Sequence, residues 1–133
     1  MRLAEVLAVC LTVASCASSR PDTCTAGARP AVMEAIYFGT AGPDGGVNPE
    51  QWQAFVSREI APRFPEGLSW WPASGQWWNA AGGIEHEAAT VLHLVHPDTP
   101  ENETAIRELI SRYKMQFRQE AVLRVRSNTC VSF

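Results

Sequence analysis

The chain has 133 residues, 46% hydrophobic and 19% charged, which fits one globular domain with an apolar core and leaves no room for a second. Its net charge is -3, with acids and bases interspersed and no basic run longer than Arg124-Val125-Arg126, so the electrostatic footprint of a nucleic-acid binder is missing.

Residues 1–15 start with the basic Arg2, run through an apolar stretch and end in small residues, the pattern of an export signal. The stretch is too short to span a bilayer, which takes about 20 apolar residues. Val13-Ala14-Ser15-Cys16 resembles the bacterial lipobox, which implies a lipoprotein-type signal peptide over 1–15, with Cys16 as the acylated first residue of the mature chain. Ordinary secretory cleavage after Ala17 fits the same small residues. A lipid anchor on Cys16 would hold the protein on a membrane without a spanning helix. The similarity to lipoproteins further implies an outer-membrane or cell-surface location, on the periplasmic face or outside, because Ala17 is not the aspartate of inner-membrane retention. Residues 16–28 are rich in Ser, Thr, Pro, Gly and Ala and read as a flexible tether, so the domain occupies 29–133. With Cys10 in the leader and Cys16 a candidate for acylation, Cys24 and Cys130 are left to pair in an oxidising compartment or to remain two free thiols.

The stretch AVMEAIYFG over 31–39 is apolar and aromatic and ends at glycine, the pattern of a strand. Pro43-Asp44-Gly45-Gly46 makes the next segment a loop. Asn48 caps a helix with Pro49 in its first position, and Trp52, Phe55, Val56 and Ile60 recur at helical spacing until Pro62 and Pro65 stop it. GLSWWPASGQWW over 67–78 reads as an edge strand, broken or bulged between Pro72 and Gly75 because proline donates no ladder hydrogen bond. A turn at 80–83 leads to a strand over 84–96, stopped by Pro97 and Pro100. Thr99 or Asn102 caps a second helix, in which Ile106, Leu109, Ile110, Tyr113 and Phe117 share a face. That helix runs out at Arg118-Gln119-Glu120, and a last strand begins at Ala121 with no glycine or proline between them.

The order βαββαβ predicts an α+β ferredoxin-like sandwich, a four-stranded antiparallel sheet with both helices on one face. In that topology the first and last strands are antiparallel neighbours. Cys24 then comes toward Cys130, which favours the bridge.

Tyr37-Phe38-Gly39, Trp52 with Phe55, Pro62-Arg63-Phe64-Pro65-Glu66-Gly67, Gly75-Gln76-Trp77, Glu87, His96-Pro97, Tyr113-Lys114, Phe117, Gln119-Glu120 and Val122-Leu123-Arg124-Val125 together resemble the bacterial family called domain of unknown function 3574, whose members are small exported proteins. The resemblance spans about Tyr37 to Phe133. This chain departs from it at Ala89, Thr90 and Ala121, where the family usually carries serine, lysine and serine. No activity is implied.

Alternation along the last strand puts Arg124 and Arg126 on the face opposite Leu123 and Val125. With the apolar pair turned to the helices, both arginines would lie on the free sheet face, where Glu87, Gln76 or a histidine of the neighbouring strands could meet them, and Trp77 is a further binding candidate. There they would form either an anion or carboxylate site or plain surface ion pairs. Glu87 and Glu120 could work as an acid and base, and Tyr113, Gln119 and Arg124 complete the candidate catalytic set, although such residues more often anchor backbone. His86, His93 and His96 do not share one strand parity, so no metal site is expected, and no cofactor either. The indole pairs Trp70-Trp71 and Trp77-Trp78 should each send one ring to the core and one to the free face, for packing, dimerisation or sugar stacking.

The residues disclose no reaction. The leading expectation is an uncharacterised exported lipoprotein, a binding or accessory module of the cell envelope with an envelope protein or glycan as partner, and a homodimer through the free sheet face. The alternative is a small enzyme of dimeric α+β-barrel type acting on an organic substrate, which would need an enclosed cavity lined by the polar candidates.

Overall fold

The computed structural model describes residues 24–42, 45–78 and 81–133. The expected signal peptide, Cys16 and most of the tether lie outside them.

Strands β1 (Arg29–Gly39), β2 (Leu68–Trp78), β3 (Ile84–His96) and β4 (Leu123–Val131) form one antiparallel sheet in the order β2-β3-β1-β4, with helices α1 (Pro49–Phe55) and α2 (Pro100–Gln116) between them. This is the expected α+β ferredoxin-like arrangement, with β1 and β4 as neighbours. Cys24 and Cys130 form a disulfide across that junction, with an S–S distance of 2.09 Å and Cα atoms 5.7 Å apart.

Each helix starts where its side chains satisfy the free backbone donors. Asn48 Oδ1 accepts from Gln51 N at 2.8 Å while Gln51 Oε1 accepts from Asn48 N at 2.9 Å, a reciprocal cap ahead of Pro49. α1 then widens into a π-helical turn, Val56–Ile60. At α2, Thr99 is the cap and Asn102 supplies the bonded amide, at 3.2 Å.

α2 makes its last helical bond from Phe117 N to Tyr113 O and closes in a Schellman-type turn, in which Gln119 N donates to Lys114 O, both at 3.0 Å. Arg118, at φ 53, holds the left-handed position that glycine usually takes. The helix therefore ends sharply without a glycine. Strand β4 starts two residues later than the sequence suggested and includes the tail through Val131.

Even-numbered residues of β1 and β3 face the helices. Ile36, Phe38, Leu92 and Leu94 pack with Trp52, Phe55, Ile60, Ile106, Leu109 and Tyr113 into the core. Within it, Phe38, Trp52, Phe55, Tyr113 and Phe117 form a cluster of tilted and edge-on rings.

Strand β2 departs from expectation. Its pairing with β3 runs unbroken from Leu68↔Leu94 to Trp78↔Ile84, through Pro72 and Gly75. β2 is an edge, and an edge strand needs donors on one side only, so proline there costs the ladder little. β1 ends at Gly39, opposite Ala89, so residues 74–78 and 84–88 continue past the sheet as a two-stranded arm. Trp77 and Trp78 lie on this arm at 49% and 70% exposure, and neither enters the core as expected. Trp70 and Trp71 do divide between the faces, but both stay partly exposed.

Candidate functional site

β4 corrects the expected orientation of the arginines. Arg124 pairs with Ile36 and Arg126 with Glu34, residues of the helix-facing set, so both arginines point to the helix side and Leu123 and Val125 to the open face. The reason is Glu34, which is fully buried between Val32 and Ile36 and needs a cation beside it.

Glu34 Oε2 accepts from Arg124 Nε at 2.8 Å, and Oε1 from Nη2 at 2.5 Å. The other edge of the guanidinium reaches Glu103 in the first turn of α2, at 2.9 and 2.7 Å. His96 joins from β3, with Nε2 3.3 Å from Glu34 Oε1 and Nδ1 2.7 Å from Pro97 O. Hydrogen bonds from Arg124, then from Arg107, hold the Glu103 carboxyl down at about 2, below its ordinary 4.5. The two carboxylates raise Arg124, Glu34 the more strongly.

A shallow cleft of about 590 Å³ opens beside this network and is lined by Asp98, Thr99, Pro100, Glu103, Arg107, Arg124 and Arg126. The arginines there already hold carboxylates: Arg126 bonds Asp98, and Arg107 bonds Glu103 at 2.7 Å. Their forks are turned to structure, not to a ligand. Glu34 and Glu103 were missed in the sequence, although a lone acid on the same strand parity as Val32, Ile36 and Phe38 was the available signal.

A second polar group forms where β1 ends. Tyr113 Oη donates to Gly39 O at 2.8 Å, and Gln119 Nε2, placed by the Schellman turn, donates to Ala41 O at 2.5 Å and Phe117 O at 3.2 Å. A Cβ on Gly39 would lie 2.0 Å from Glu87 Oε1 and 2.9 Å from Gln119 Oε1, so glycine makes room for both side chains. Glu87, Tyr113 and Gln119 are thus brought together. Glu120 is exposed on the approach to β4, and Arg124 is committed to Glu34. Burial first, then the Glu87 charge, pushes the Tyr113 phenol up, away from the range in which it would exchange protons near neutrality.

The candidate binding residues do not converge. Gln76 and Trp77 are on the arm of β2, and Arg124 and Arg126 on β4, the opposite edge of the sheet. The histidines are also spread, with His96 in the buried network, His93 edge-on to Trp71 on the open face and His86 opposite Gln76 on the arm.

Among the described residues, no layer covers that open face. Met33, Ala35 and Tyr37 of β1, Val91, His93 and Val95 of β3, Leu123, Val125 and Ser127 of β4 and Trp71 of β2 share it. Tyr37 is 38% exposed, Trp71 43%, Val125 49% and Leu123 60%. Where all four strands run side by side, the positions on this face include no Asp, Glu, Lys or Arg.

The family model described as "Protein of unknown function (DUF3574)" matches residues 33–133. No curated protein matches the chain. Among solved structures, the chain is similar to a phage SAM lyase in complex with S-methyl-5'-thioadenosine, at 12% identity and TM-score 0.56 over 86% of this chain and 97% of that one. It is also similar to CutA from Synechococcus elongatus, at 9% identity and TM-score 0.52 over 77% of this chain and 80% of that one. The periplasmic divalent cation tolerance protein CutA from Archaeoglobus fulgidus matches at 10% and 0.50, over 73% and 81%. Identities this low show a shared fold and nothing about chemistry.

Proposed function

Because the chain belongs to the DUF3574 family, whose description assigns no activity, we propose from the leader-like residues 1–16 that it is an exported, lipid-anchored module of the cell envelope, and from its surface that it binds through its open sheet face, first of all to a second copy of itself. One observation carries the binding part of this reading: the uncharged, partly exposed apolar face made by all four strands. All four strands run side by side over residues 34–37 of β1 and their partners, so at about 4.8 Å between strands and about 3.3 Å per residue the shared face is about 250 Å² in plan. Its support for docking is less its size than the exposed aromatic and aliphatic side chains, Tyr37, Trp71, Leu123 and Val125, gathered on it without a charge between them. A twofold axis brings identical patches together, and without charges nothing in the patch repels its copy.

The enzyme alternative needs an enclosed cavity lined by Glu87, Tyr113, Gln119, Glu120 and Arg124. Of that set, Arg124 alone lines the cleft beside α2, and none lines the cleft between β2 and α1.

Sedimentation of the full chain is expected to show a dimer, and Val125→Glu a monomer with unchanged circular dichroism. Val125 is half exposed, so the substitution should change the fold's own stability by no more than about 0.5 kcal/mol. A wild-type chain that stays monomeric throughout the micromolar range would sink the self-association. The anchor is tested separately. The native chain should fractionate with membranes and Cys16→Ala should be released, whereas a variant that stays with the membrane rules out acylation at Cys16.

A further inference from the structure

His93 sits on the open face, on β3, one of the two inner strands of the sheet. Its cross-strand partners are Ala35 of β1 and Ser69 of β2, and its ring meets the Trp71 indole edge-on, with centroids 5.3 Å apart. The side chain is half-buried, and no layer among the described residues closes over it. Imidazole is the side chain whose charge ordinarily changes between about pH 5 and 8.

Nothing close on this face balances that charge. β3 itself adds Val91 and Val95, β1 adds Met33 and Tyr37, and Val125 of β4 lies beyond Ala35. Tyr37 is the other titratable side chain in this group, and a phenol is neutral across that range. Charges begin at the margins. Glu66, three positions before Ser69, is held by Arg29 at 2.7 Å, and Glu87 and Glu85 precede His93 by six and eight positions on the arm. Six strand positions span about 20 Å, roughly two Debye lengths at physiological ionic strength.

In the free monomer a protonated His93 keeps water on its open side. Covering the face removes that water, and a charge desolvated without a partner is disfavoured. A second copy presents the same face, so it brings another imidazole and no carboxylate from this area. The covered state therefore holds fewer protons than the free one, and falling pH favours the free one.

We propose that His93 makes the self-association of this chain pH-dependent, with the dimer formed near neutrality and released on acidification. The inference rests on the self-association proposed above and names what regulates it.

The test is sedimentation of the full chain at about pH 7.5 and about pH 5.5, with circular dichroism at each to check that the fold is intact. Glu103, held down at about 2, does not titrate in this interval. Two imidazoles that must both be neutral in the dimer raise its dissociation constant by about 100-fold between the two conditions. His93→Gln and His93→Phe remove the titrating group, and each should keep one dissociation constant at both. His86→Gln, on the helix side of the arm, should respond as the wild type does.

A wild-type dimer equally tight at both pH values overturns the regulation and leaves the self-association standing. So does a dimer that weakens on acidification just as much in both His93 variants. A wild-type chain that is monomeric at both removes the self-association itself, and the regulation with it.

Discussion

Arg124→Leu is expected to cost about 3–5 kcal/mol of folding stability, because it strands a carboxylate in the core. Glu34 has no exposed surface and takes two of its hydrogen bonds from Arg124, leaving only the more distant His96 ring once the guanidinium is gone. An exposed ion pair would lose about 1 kcal/mol or less, so the size of the effect in urea unfolding decides between a buried network and a surface contact. Replacing both partners, Glu34→Leu with Arg124→Leu, should recover much of the loss, since two apolar side chains leave no uncompensated charge.

The pH dependence gives an independent reading. The folded-state value of Glu103 is depressed, first by Arg124 and then by Arg107, so its contribution is present above about 4.5 and is lost as pH falls toward about 2. In Arg124→Leu the larger cause disappears, and that acid limb of the stability curve should flatten. A loss under about 1 kcal/mol with an unchanged acid limb would refute the network's role.

Reducing the Cys24–Cys130 disulfide, or replacing both cysteines by serine, is expected to lower stability by up to about 4.7 kcal/mol. The bridge spans 106 residues, nearly the whole domain, so it removes more freedom from the unfolded chain than a short loop would. It also ties the entry to β1 onto β4, an edge strand with one neighbour. Unfolding by urea with and without reductant measures the effect. The serine variant should no longer respond to reductant, and two free thiols in the mass of the unreduced native protein would dispose of the idea.

The elements themselves could be read from local signals. Asn48-Pro49 started α1, the apolar period located the core residues of α2, and the run over 84–96 became β3 residue for residue. The strand order followed from the succession βαββαβ, and it correctly made β1 and β4 neighbours. Of the candidate site, the sequence named Glu87, Tyr113 and Gln119, which do meet at Gly39, but gave no sign that glycine's missing side chain makes the meeting possible. It also placed Arg124 on the wrong face, by assuming that Leu123 and Val125 must seek the helices.

Caps, hydrophobic period and chain order are set by residues a few positions apart, so for this chain they could be read without coordinates. Which face each residue of β4 presents, and which acid its arginine finds, depends on register against a strand 90 positions away in sequence. One buried carboxylate on β1 outweighed the burial of two apolar side chains at the sheet edge. Only the tertiary structure brings those competing terms together, which is why the free face proved to be apolar and the charges turned inward.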